Sequence, residues 1–121
     1  MPSHAQAQLR VRVMLDAEIA LGPGKADLLE AIDRTGSISA ASRELDMSYK
    51  RAWQLVDTMN RCFRNPLVAT EVGGAQRGRS TLTESGREVL ALYRRMEAAA
   101  EEATAPSMKA MQPLLLAHPR A

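Results

Sequence analysis

The side chains with the most usable chemistry stand close together in Ser48-Tyr49-Lys50-Arg51-Ala52-Trp53-Gln54. Lys50 offers an ammonium to guanine acceptors or to a phosphate. Gln54 carries an amide that can pair with adenine, and the Ser48 hydroxyl suits a base edge or a sugar-phosphate oxygen. Arg51, followed by Arg61 and Arg64, suits phosphate contacts or a solvated surface. Tyr49 and Trp53 have two uses: touching a thymine methyl or the sugar-phosphate edge, or packing under a neighbouring hairpin. For Trp53 the scarcity of large rings favours packing; for Tyr49 both readings stay open. A second basic stretch is Gly73-Gly74-Ala75-Gln76-Arg77-Gly78-Arg79. Its glycines let the backbone approach a duplex closely, and Arg77 and Arg79 supply charge for phosphates or a minor groove. The plain alternative is a mobile, solvated hairpin tip. Ser39 completes the candidate DNA-contacting set.

Other chemistries are poorly supplied. Cys62 is the single cysteine in 121 residues, and the two histidines, His4 and His118, lie near opposite ends. No intrachain disulfide, cysteine zinc cluster or Ser–His–Asp or Cys–His set can be assembled from these, so no metal, no cofactor and no enzymatic activity are expected. Cys62 reads as an inert apolar residue rather than a redox switch. No apolar run approaches the ~20 residues of a membrane span, and the start lacks a signal-peptide pattern. A cytoplasmic location follows as an expectation. Only Tyr49, Trp53, Phe63 and Tyr93 are aromatic, too few for a base-stacking RNA platform. The net charge is +2, but thirteen of the sixteen cationic side chains are arginines. That bias leans toward anionic partners, because the guanidinium fork matches phosphates and guanine edges.

The elements that must hold these residues are legible from periodicity. Leu9, Val11, Val13 and Leu15 alternate with Arg10, Arg12, Met14 and Asp16, which predicts a half-buried N-terminal strand with the arginines on its solvated face. Leu21-Gly22-Pro23-Gly24 breaks it. Leu28, Leu29 and Ile32 predict a helix over Ala26–Arg34, with Gly36 as its left-handed C-terminal cap. Ser39 is placed to cap a short second helix that stops near Asp46-Met47, and Ser48 to cap a third over Tyr49–Cys62. Ala41, Leu45, Met47, Ala52, Leu55 and Val56 fill the inward positions of a helix-turn-helix. Asp46 stands where many such turns have glycine, and Asp tolerates the left-handed conformation.

Two β-prone runs, 67–72 and 80–82, flank the basic loop as a hairpin. Thr83 then caps a long helix with a Val89, Leu90, Tyr93, Met96 stripe. The Leu90, Tyr93 and Met96 part of that stripe is the expected dimer interface. The fold class is therefore mainly α with a small β component: a winged helix-turn-helix with N-terminal strand, β-hairpin wing and long C-terminal helix. Residues 1–8 read as a flexible N-terminus, 9–104 as the DNA-binding domain and 105–121 as a C-terminal tail, because Pro113 and Pro119 forbid one continuous helix.

Thr35-Gly36-Ser37-Ile38-Ser39, Ser48-Tyr49-Lys50-Arg51-Ala52-Trp53 and Met59-Asn60 resemble the N-terminal DNA-binding domain of ModE-type molybdate-responsive regulators, which carry these motifs at the same spacing. The Gly-rich stretch after Glu71-Val72 and Leu82-Thr83-x-x-Gly86 are similar to that family's wing and last helix. A more distant similarity extends to the helix-turn-helix of LysR-type regulators. The resemblance implies a bacterial or archaeal homodimer reading a pseudo-palindromic operator. It gives Ser48, Tyr49, Lys50 and Gln54 recognition-helix roles and makes Gly73–Arg79 the wing. The 17 residues after Thr104 are too few for the family's oxyanion-binding module, so no small-molecule effector is expected. Two other functions fit the same features less well: a winged-helix protein-interaction module without DNA, and an oxyanion-responsive regulator.

Overall fold

The computed structural model describes residues 7–75 and 78–121. Residues 1–6, most of the expected flexible N-terminus, and Arg77 of the wing lie outside the described residues. In chain order come β1 (Val13–Leu15), β2 (Glu18–Leu21), α1 (Pro23–Thr35), α2 (Ile38–Glu44), α3 (Tyr49–Cys62), β3 (Val68–Thr70), β4 (Ser80–Leu82) and α4 (Glu84–Met111). A short 3-10 turn, Gln112–Leu114, follows. The strands form two separate antiparallel pairs, β1 with β2 and β3 with β4.

The N-terminal strand is shorter than its alternation suggests. Only Val13–Leu15 is paired, because the chain reverses at Asp16-Ala17 and returns as β2, a strand the sequence reading did not foresee. Asp16 adopts φ 53° to make that reversal, within the left-handed tolerance of aspartate. Val11 and Val13 pack against the core, whereas Leu9 and Leu15 at the two ends of the run are exposed.

Helix α1 begins earlier than expected because Pro23 fits the first helical position, where a missing N–H costs nothing. It lies against α2, α3, α4 and β4 and buries Ala26, Leu28, Leu29, Ala31 and Ile32. Gly36 closes it at φ 72°, its N–H donating to the Ile32 carbonyl at 2.8 Å. Helix α2 then starts two residues sooner than the sequence implied. Ser37, not Ser39, is its cap, accepting the Ala40 N–H at 3.0 Å. Ser39 is already inside the helix.

The turn between α2 and α3 satisfies the carbonyls at the end of α2 by two backbone bonds. Met47 N–H donates to Ser42 O at 3.0 Å and Asp46 N–H to Arg43 O at 3.2 Å. This is the Schellman arrangement, with Asp46 in the left-handed position at φ 54° and Met47 half-buried against the core. Ala41 and Ala52 are fully buried across the turn, and Leu45 packs beside them.

Helix α4 departs from expectation in two ways. It runs through Pro106 to Met111, past the boundary placed at residue 104. Pro106 removes the N–H that would bond the Glu102 carbonyl, but both residues are exposed and water can satisfy that oxygen. The helix also turns its expected dimer stripe inward. Tyr93 is completely buried within its own chain and donates its hydroxyl to Val11 O at 2.6 Å, while Leu90 packs on the core. Tyr93 is therefore closed to a partner copy, Leu90 is half-buried, and Met96 alone of the three is exposed. Burial, together with the Glu97 carboxylate, pushes the Tyr93 phenol up to about 12.

Candidate nucleic-acid interface

The geometry of α3 follows from its cap and its buried stripe. Ser48 has extended backbone and its Oγ accepts the Arg51 N–H at 3.0 Å, so the helix starts at Tyr49. Ala52, Val56 and Met59 are buried at spacings of four and three, which fixes the rotation of the helix about its axis. Tyr49, Lys50, Arg51, Trp53 and Gln54 are then all directed to solvent from its first two turns. The packing expectation for Trp53 is overturned: the residue is 51% exposed and outside the core, because the buried Ala52-Val56-Met59 stripe fixes the helix rotation and leaves position 53 on the uncovered side.

This face also keeps its charge. Among the described residues no carboxylate is ion-paired with Lys50 or Arg51, whereas Arg61 is bound to Asp57 and Arg34 to Glu44. Ser39 is half-buried at the start of α2, and its Oγ accepts from Arg43 at 2.9 Å. Lys25, in the first turn of α1, is 9% exposed. Burial, then repulsion from Arg51, holds its ammonium below the ordinary lysine range.

The wing is tied to α3 by a residue that local sequence reasoning left without a role. Asn60 Oδ1 accepts the N–H groups of Leu67 (2.8 Å) and Val68 (3.2 Å), and Asn60 Nδ2 donates to Val68 O at 3.2 Å. One side chain thus makes the pairing that a third strand would otherwise make. The only sequence trace of it is the Met59-Asn60 pair of the family resemblance, since its partners lie seven and eight residues away. At the opposite edge, Ser80 N–H donates to Gly36 O at 2.9 Å, which anchors β4 to the α1–α2 junction. Beyond these anchors Glu71 to Ala75 and Gly78 to Arg79 are exposed. The Arg79 guanidinium lies over Gly36, 3.8 Å from where a Cβ would be, so it sits at the wing base beside the start of α2.

The last helix is seated equally firmly. Thr83 Oγ1 accepts the Gly86 N–H at 2.9 Å and donates to Pro66 O at 2.6 Å. A methyl at Gly86 would overlap the Leu67 carbonyl oxygen and meet its carbon at 3.0 Å, so only glycine lets α4 approach the wing this closely. Arg94 then reaches Asp27 (2.8 Å), Glu30 (2.7 Å) and Glu97 (2.7 Å), which raises its pKa through those hydrogen bonds and locks α4 to α1.

A capped helix held by a short turn against a second helix, followed by a β-hairpin, defines the winged helix-turn-helix class. The family model described as "Bacterial regulatory helix-turn-helix protein, lysR family" matches residues 25–87, from α1 through the start of α4. The chain belongs to the lysR family of bacterial regulatory helix-turn-helix proteins. It is similar to the molybdenum transport protein ModE of Azotobacter vinelandii, with 44% identity over 88 residues covering 71% of this chain and 33% of that protein. It is likewise 45% identical over 78 residues to the molybdenum-pterin-binding protein MopB of Rhodobacter capsulatus, covering 64% of this chain and 29% of that one. The DNA-binding transcriptional dual regulator ModE of Escherichia coli K12 matches at 32% over 88 residues, covering 73% and 34%. The chain therefore spans about a third of the length of the curated relatives it matches. Among solved structures, the CbnR_DBD–DNA complex superimposes with a TM-score of 0.56 at 18% identity, covering 72% of this chain and 94% of that one, which shows the shared fold.

Proposed function

We propose that this chain is a DNA-binding transcriptional regulator whose helix α3 enters the major groove, in the cytoplasm, without catalysing a reaction. The observation that carries the reading is the exposed row of Lys50, Arg51 and Gln54 on a helix whose opposite side is locked into the helix-turn-helix core. In this motif the N-terminal residues of the second helix meet base edges. Lys50 and Gln54 face guanine and adenine edges, Ser48 and Arg51 the backbone alongside, and the segment Gly73–Arg79 lies on phosphates or in the minor groove. Arg79, lying at the wing base beside the start of α2, serves a phosphate near Ser39. The names of the similar proteins, which include transcriptional regulators and a DNA complex, support the same partner.

A homodimer on a pseudo-palindromic site completes the reading. With Tyr93 inside the chain and Leu90 half-buried, the interface moves to Leu92, Met96, Ala99 and Ala103, which are exposed on α4 at spacings of four, three and four. That alternation is the seam of a coiled coil, and it would set two recognition helices about 34 Å apart.

The test is binding to selected duplexes over a salt series. Affinity falls linearly on a log–log scale as counterions are released from contacted phosphates. Lys50→Ala weakens selected sites by about 1–3 kcal/mol and random DNA far less. A salt-insensitive affinity would overturn the phosphate contacts, and equal loss on both kinds of DNA would make Lys50 a phosphate contact rather than a base-edge reader.

A further inference from the structure

The aromatic residues of this chain divide sharply. Tyr93 is wholly buried and Phe63 packs on the core, but Tyr49 and Trp53 are 55% and 51% exposed. The two exposed rings are four residues apart on α3, hence one turn apart on the same face. A chain with so few rings leaves half of them in water at one place, where neither contributes to the core. Beside them runs a second row, Lys50 and Gln54, also four residues apart and also exposed. The first two turns of α3 therefore present an apolar row and a hydrogen-bonding row side by side.

That mixture matches the floor of a major groove. Base edges there offer hydrogen-bond donors and acceptors, and the single apolar group among them is the C5-methyl of thymine. Resting on the reading of α3 as the groove-entering helix, we infer that Tyr49 and Trp53 read thymine methyl groups, so that site preference is set by apolar contact as well as by Lys50 and Gln54. An apolar protein surface is a poorer occupant of this patch. Lys50 and Arg51 border it without ion-paired carboxylates among the described residues, and covering them with protein would desolvate two cations that a duplex would neutralise.

Deoxyuridine removes the methyl and nothing else, so the probe leaves the protein untouched. Selected duplexes are resynthesised with each thymine replaced in turn by deoxyuridine, and binding is followed by fluorescence anisotropy. At one or two positions per half-site the intact chain loses about fourfold in affinity, as expected for one methyl-sized group withdrawn from apolar contact. Trp53→Ala and Tyr49→Ala each abolish the penalty at a different thymine, while retaining a native circular dichroism spectrum. Selective binding with no uracil penalty at any position overturns the inference and leaves the groove-reading helix standing. A penalty that survives both substitutions also overturns it. Failure to bind any duplex removes the groove reading and this inference together.

Discussion

Helices α3 and α4 both leave apolar side chains in solvent, but they are held in place differently. In α3 the exposed residues stand directly behind a cap and opposite a buried Ala52-Val56-Met59 stripe, so their direction is set within two turns. In α4 the fixed part is the first half, seated by Thr83, Gly86, Tyr93 and Arg94, and the second half extends to Met111 with no buried residue beyond Tyr93. The contrast separates two tasks. A rigid, charged and aromatic face suits a partner whose grooves have fixed dimensions. An exposed apolar stripe on a helix that outruns its core suits a second helix, which supplies the missing half of the packing.

That division can be broken first at the α4 seam. For the proposed dimer, Leu92→Glu with Met96→Glu should leave the monomer fold intact, abolish self-association measured by sedimentation, and lower affinity for a two-half-site duplex by roughly a hundredfold through lost bivalency. A dimer that persists removes the seam. An effect of comparable size falls on the seat of α4. Gly86→Ala forces the helix away from Leu67 and destabilises the chain by roughly 3 kcal/mol in denaturant unfolding, an overpacking cost with backbone as the unyielding neighbour.

Tyr93 adds a pH signature to the same half of α4. Its phenol is neutral in the folded chain up to about pH 12, against 10.0 ordinarily. A raised pKa stabilises fully below the ordinary value and is lost as pH climbs to the folded one. Stability should drop by about 1.4 kcal/mol per unit across that window, and Tyr93→Phe should not show the drop. The smallest effects compare the two caps. Ser48→Ala removes one accepted N–H and costs about 1 kcal/mol; Thr83→Ala also removes the bond to Pro66 and costs about 2 kcal/mol. Equal losses in thermal melts would mean that α4 is no more firmly seated than α3.

Helix α3 was legible in full, from the Ser48 cap to Cys62, because a cap and a periodic stripe involve residues three or four apart. So were Gly36 and Asp46 as left-handed positions, where residue type limits backbone conformation directly. The second strand escaped notice because Glu18–Leu21 is too short to show a period, and its only local marker is Asp16 at the reversal. Ser39 was misassigned as a cap because Ser37 and Ser39 are chemically equivalent candidates. The choice between them rests on where Gly36 ends α1 and Ser37 begins the extended approach.

Composition, spacing and capping residues were enough to define a winged helix-turn-helix, to place Ser48 as the cap of α3 and to nominate Lys50 and Gln54 as outward-facing. Only the folded chain decided that Trp53 faces water, that Tyr93 belongs to the interior, and that Asn60 couples the wing to α3. Each outcome depends on what packing brings near a side chain: Val11, 82 residues away, for Tyr93; the first residues of the wing for Asn60; and no covering neighbour for Trp53. Helical periodicity states which residues share a face. It does not state which neighbour, or whether any, will cover that face, and burial is decided by the neighbour.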